Sequence, residues 1–133
     1  MTDVIRIAIR CDADIVLVRQ QARLLARELG FSGSDLTLIA TALSELARNI
    51  VEYARQGEIV LSQIRQGRQL GITIVARDHG PGIADIERAM QDGYSTGKGL
   101  GLGLPGAKRL MDEFEITSAE GQGTTIKATK WVR

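Results

Sequence analysis

Glu45 and Asn49 are the first residues along the chain whose types and spacing could do chemistry together. They lie four apart in Glu45-Leu46-Ala47-Arg48-Asn49, so on a helix their side chains stand on one face, one above the other. Asn is a modest helix former with no structural task in a helix interior. Leu46 and Ile50 belong to an apolar stripe, which leaves Glu45 and Asn49 at its edge. There an amide oxygen could ligate a metal while a carboxylate orders a nucleophile; the plainer alternative is a solvated flank with Glu45 paired to an arginine. Asp78-His79-Gly80-Pro81-Gly82 places a carboxylate beside backbone free of side chains. Such a carboxylate can accept from an exocyclic amine while the glycines admit a flat ring, although the same residues make an ordinary turn.

Gly97-Lys98-Gly99-Leu100-Gly101-Leu102-Gly103 leads into a helix that Pro105 suits at its first turn. Alternating glycines and a helix start expose N–H groups to an anion. Lys98 could neutralise phosphate charge or be a solvated loop lysine, and the whole stretch could be a loop without ligand. A Walker loop is excluded by the wrong spacing from Gly93 and by Gly99 after Lys98. Gly101-x-Gly103-x-x-Gly106 matches a dinucleotide fingerprint, but polar loop rather than a strand precedes it. Gly121-Gln122-Gly123-Thr124-Thr125 is a hairpin turn that needs no function; its hydroxyls could support Asp78 on a base edge.

The elements that must position these residues follow from periodicity. Ile5, Ile7 and Ile9 alternate as in a half-buried strand over Val4 to Arg10. Asp12 or Asp14 can cap a helix through Leu24, Leu25 and Leu29, which Gly30 stops. Ser34 or Asp35 can cap a second helix striped by Leu36, Ile39, Leu43, Leu46 and Ile50, and Gly57 is expected to close it. Strands over Glu58 to Ile64 and Leu70 to Ala76 turn at Gln66-Gly67. A short helix is expected near Asp85 to Met90, another from Pro105 to Asp112, and a last hairpin from Phe114 to Ser118 and Thr124 to Val132. Hairpin strands with helices between them predict an α+β fold: a two-layer sandwich with a mixed, mostly antiparallel sheet covered by helices on one face.

Composition narrows the function. The 133 residues fit one domain over 1–133, with 44% hydrophobic and 25% charged residues typical of a soluble protein. A net charge of +1 and 4% aromatics argue against nucleic acid and membrane partners. One cysteine and one histidine exclude an intrachain disulfide, a cysteine zinc cluster and a multi-histidine metal site, and disfavour a Ser-His-Asp triad. The first ten residues lack a signal-peptide run, and no segment approaches the ~18 apolar residues of a membrane span. The expected compartment is the cytoplasm.

Taken in order, Glu-x-x-x-Asn on a helix, Asp-x-Gly-x-Gly after a strand, the Gly-x-Gly-x-Gly loop and Gly-x-Gly-Thr in a hairpin resemble the four boxes of the GHKL (Bergerat-fold) ATPases. The resemblance covers Ser44 to Thr125. Within that superfamily, the runs Thr41 to Ile50, Gly93 to Gly97 and Leu102 to Phe114, with the ending Lys130-Trp131-Val132-Arg133, are similar to the anti-sigma-factor kinases, specifically the stressosome switch kinases.

The resemblance implies ATP and Mg as cofactors, with Asn49 as the Mg ligand and Asp78 on the adenine amine. Gly80 and Gly82 would flank the base, and Thr124 would help read it. Gly99, Gly101 and Gly103, with Leu100 and Leu102 between them, would wrap the phosphates beside Lys98. Glu45 would orient or deprotonate the attacking hydroxyl, since phosphoryl transfer depends mainly on positioning and electrostatics. The implied activity is a serine/threonine kinase acting on STAS-domain antagonist and scaffold proteins of the stressosome. A partner protein phosphatase is implied by the same resemblance; the oligomeric state is left open. The alternative is a nucleotide-dependent anti-sigma or adaptor module without kinase activity. A detached histidine-kinase domain would need an acceptor histidine elsewhere, and a gyrase-like machine would need further domains.

Overall fold

The computed structural model describes residues 4–80, 90, 103–118 and 121–133. Gly82, Lys98, Gly99, Leu100, Gly101 and Leu102 lie outside them, as does the helix expected near Asp85 to Met90 apart from Met90 itself.

Strand β1 (Val4–Ile9) is followed by helix α1 (Asp12–Leu29), helix α2 (Gly33–Asn49) and a π-helical turn (Ile50–Ala54). Strands β2 (Gly57–Gln66) and β3 (Gln69–Asp78), helix α3 (Gly103–Leu110) and strands β4 (Glu113–Ser118) and β5 (Thr124–Trp131) complete the order. The strands form one sheet in the order β1-β2-β3-β5-β4. The expected mixed, mostly antiparallel sheet narrows to one in which every pairing is antiparallel. The long connection through α3 sets β4 parallel to β3 in direction, but β5 lies between them and pairs antiparallel with both.

Residues directly opposite across a pair share a face. Ile7 faces Ile59, Leu61 faces Ile74, Ala76 faces Ile126 and Ile74 faces Ala128. That face packs on the inner stripes of the helices: Ile15, Val18, Ala22 and Ala26 of α1, and Ile39, Leu43, Leu46 and Ile50 after them. Each wholly buried Leu or Ile contributes about 1.5–3 kcal/mol. No helix among the described residues is long and apolar enough to cross a membrane.

The caps differ from expectation. Cys11, with extended backbone, precedes α1, and Asp14 reaches back from the first turn to accept the Arg10 N–H at 2.9 Å. That bond holds the Asp14 carboxyl below its ordinary value. Gly30 ends α1 at φ 97°, donating to Arg27 O while the Phe31 N–H reaches Ala26 O, a left-handed stop that glycine provides. Ser32, not Ser34 or Asp35, caps α2, accepting the Asp35 N–H at 3.2 Å.

Gly57 does not close α2. The helix gives way at Ile50 to the π turn, the positive φ falls on Arg55 (φ 70°), and Gly57 opens β2. Glycine is needed there for space. A methyl group would press on the Arg77 carbonyl oxygen and come within 2.9 Å of Ile50 Cγ2 and 3.0 Å of Asp78 Cβ.

Candidate functional site

Helix α2 supplies the first half of the site. Leu43, Leu46 and Ala47 are wholly buried, which fixes the rotation of the helix and turns Glu45 and Asn49 to the edge of the stripe. The two residues line one small pocket with Arg48, Glu52, Tyr53, Gly103 and Leu104. Glu45 is 7% exposed, so it is not a solvated flank. One carboxylate oxygen accepts Arg48 Nη1 at 2.7 Å, and the other accepts the Gly103 N–H at 3.1 Å. The expected arginine pairing therefore exists, but inside a pocket rather than on a surface.

Gly103 opens α3 with φ 56°, a conformation that glycine adopts without strain. Its N–H belongs to the first turn, where helix donors lack internal partners and the dipole favours negative charge. Glu45 occupies that donor. The glycine-rich segment is thus joined at its exit to the acid of α2. The Asn49 amide forms no hydrogen bond among the described residues, so its oxygen is available to a cation. Those residues hold no cluster of three His, Cys, Asp or Glu side chains. A cation here would rest on Asn49, phosphate oxygens and water, a donor set that suits Mg because it keeps most of its waters.

The second half sits at one end of the sheet, where the register aligns Gly57, Asp78, Thr124 and Ser118 in a row on the helix-facing side. Asp78 is buried, and its Oδ1 accepts the Gly80 N–H at 2.9 Å and the Thr124 N–H at 3.2 Å. Oδ2 has no partner among the described residues and is left to accept. Thr124 Oγ1 lies 2.8 Å from Ser118 Oγ, which also donates to Gly123 O at 3.0 Å. Gly123, at φ 83°, lies so close to the Asp78 carbonyl that any side chain would collide with it.

Gly80 also meets a packing constraint. A methyl group there would stand 2.6 Å from Ala54 Cβ, so its bareness admits the π turn. Ala54 against Gly80 and Ile50 against Gly57 hold the end of α2 beside Asp78, which joins the two halves.

Glu45, Asn49 and Gly103 come together in one pocket, and Asp78, Gly80 and Thr124 at one sheet end. Arg48 and Ser118 are polar members that sequence reasoning did not single out. Arg48 was accessible through its three-residue spacing from Glu45. Ser118 was accessible as the hairpin end opposite Thr124.

The sequence matches the model of the histidine kinase-like ATPase domain over residues 10–130. It is 51% identical over 133 residues to the serine/threonine-protein kinase RsbT of Bacillus subtilis (strain 168), covering 100% of both chains. It is 33% identical over 111 residues to the anti-sigma F factor of Caldanaerobacter subterraneus subsp. tengcongensis, covering 80% of this chain and 78% of that protein. Among solved structures, the RsbU and RsbW domains of Rv1364c from Mycobacterium tuberculosis align with a TM-score of 0.63 and 25% identity, over 98% of this chain and 32% of that one. The mycobacterial sensor histidine kinase MprB aligns with a TM-score of 0.57 over 100% of this chain and 99% of that one; at 16% identity the likeness is one of fold alone.

Proposed function

The chain belongs to the histidine kinase-like ATPase domain family and is a serine/threonine-protein kinase within it, and on that premise we propose its substrates and site roles. It phosphorylates STAS-domain antagonist and scaffold proteins of a stressosome. When released from them it activates a partner protein phosphatase in the sigma-factor stress response, as one cytoplasmic domain over 1–133. Similarity over the full length to a serine/threonine kinase, and over 80% of the chain to an anti-sigma factor, supports this reading.

The observation that carries it is the shared pocket of Glu45 and Asn49 against the first N–H of α3. Asp78 Oδ2 accepts the adenine amine, Thr124 sits beside it, and Gly80 and Gly82 bound the base. Lys98, Gly99, Leu100, Gly101, Leu102 and Gly103 surround the phosphates. Mg, held by Asn49, would supply charge neutralisation at the phosphates. Glu45 accepts the proton of a serine or threonine hydroxyl as its oxygen bonds to the γ-phosphorus and the bridging oxygen leaves with ADP.

The similarity to anti-sigma F factors favours a second reading, a nucleotide-dependent adaptor without transfer. Incubation with labelled ATP and purified STAS proteins separates the two. The kinase yields an acid-stable phosphoester on serine or threonine, whereas the adaptor binds without labelling. An acid-labile, base-stable product would instead mark phosphohistidine and overturn both.

A further inference from the structure

Helix α1 has two apolar sides. Ile15, Val18, Ala22 and Ala26 face the core. On the far side, Ala13, Leu17, Gln20 and Leu24 follow one another at spacings of 4, 3 and 4, within an arc of about 60° at 3.6 residues per turn. Leu17 is 44% exposed and Leu24 52%, and Val16 beside them is 46% exposed. A 4-3-4 spacing is the seam of a two-helix coiled coil, which a helix needing only one buried stripe does not require.

The charges on its border are mainly basic on one flank, where Asp12 at the helix start is the acidic residue. Arg19, Arg23 and Arg27 stand one turn apart along one flank, all exposed, and none forms an ion pair or side-chain hydrogen bond among the described residues. The other flank carries Gln21 and Glu28, while Asp14 is engaged by the Arg10 N–H. A leucine seam beside three unmatched cations fits an opposing helix with its own apolar seam and acidic border. A second copy of this chain would add arginines to the seam instead of their counter-charges.

We propose that the outer face of α1 is a docking seam for an acidic amphipathic helix of a partner protein. The face lines neither half of the kinase site, so the proposal stands apart from that reading.

The probe is a four-heptad peptide with leucine at a and d and glutamate at e and g, added to the full isotope-labelled chain. Its counterpart carries lysine at e and g. The acidic peptide should bind at least about tenfold tighter at low salt, as an electrostatically matched seam requires. Amide shifts should cluster on 13–27. Leu17→Glu with Leu24→Glu should abolish binding while nucleotide affinity and the melting temperature stay unchanged. If that variant does not fold, Leu17→Gln with Leu24→Gln serves the same end. Arg19→Glu, Arg23→Glu and Arg27→Glu together should reverse the preference towards the lysine peptide. Equal binding of both peptides, shifts on another face, or full binding by the leucine variants would overturn the proposal. So would a dimer of the chain itself that the leucine substitutions dissolve while the acidic peptide fails to bind.

Discussion

Glu45 gives up both carboxylate oxygens to donors, one from its own helix and one from the first turn of the next. Glu45→Gln keeps an acceptor for the Gly103 N–H but removes the proposed base. It should bind Mg-ATP normally and lose phosphate transfer by about 10²–10⁴ in single-turnover assays. Full transfer by the variant would remove Glu45 from the chemistry. Asn49→Ala should weaken nucleotide binding with Mg far more than without it, because Asn49 is the protein donor in the proposed cation set; calorimetry with and without EDTA reads this directly. Asp78 permits a cleaner test. In Asp78→Asn the side-chain carbonyl can still accept the Gly80 and Thr124 N–H groups, while an amide donor replaces Oδ2. Melting should change little, and ATP affinity should fall by about 1–3 kcal/mol as donor meets donor. Normal affinity in a folded variant would place adenine recognition elsewhere.

At the scale of elements, glycines of opposite character can be told apart by substitution. Gly57→Ala forces a methyl against the backbone oxygen of Arg77, which cannot yield as a side chain would. It should destabilise the fold by about 1–3 kcal/mol, seen as a lower urea midpoint at unchanged slope. Gly67→Ala meets nothing within 4 Å and suffers only from φ 61°, so its loss should be about 1–2 kcal/mol. These positions also mark how far the sequence was legible. The spacing of Glu45 and Asn49 was readable because helical period alone puts them on one face. Asp78 was readable as an acid at a strand end. The α2 terminus was misread because a glycine after a helix usually supplies a left-handed stop, whereas here Arg55 takes the positive φ and Gly57 provides clearance. Nothing in an arginine announces a positive φ. Thr124 was readable as a hydroxyl that could support Asp78, but the bond from its backbone N–H to Oδ1 was not, because it rests on a register between strands 46 residues apart.

Across the whole molecule, Asp112 fastens the end of α3 to the last strand. Its Oδ2 accepts the Trp131 N–H and its Oδ1 accepts Arg133, both at 2.8 Å, while buried Lys130 caps Leu110 O at 2.9 Å. Burial alone would raise the Asp112 carboxyl, but Arg133, the Trp131 N–H and Lys130 outweigh it and hold it below its ordinary value. A depressed carboxyl stabilises the fold above its unfolded pKa, about 3.9, and that stability is lost as pH falls through the folded value. Melting temperature should therefore drop below about pH 4. Asp112→Asn should be less stable at pH 7 and lose part of that dependence; an unchanged profile would show that the clamp contributes nothing.

The strand order carries a consequence for how the protein is made. β5 lies between β3 and β4, yet it leaves the ribosome after the other four strands. While it is still within the tunnel, β1, β2 and β3 can pair, but β3 keeps an open edge and β4 has no neighbour in the sheet. The Asp78–Thr124 row stays unclosed, so a nascent chain carries Glu45 and Asn49 without the sheet end that would receive adenine. A chain arrested with β5 enclosed should remain protease-sensitive and fail to bind ATP. Emergence of β5 should bring protection and binding together, as one event.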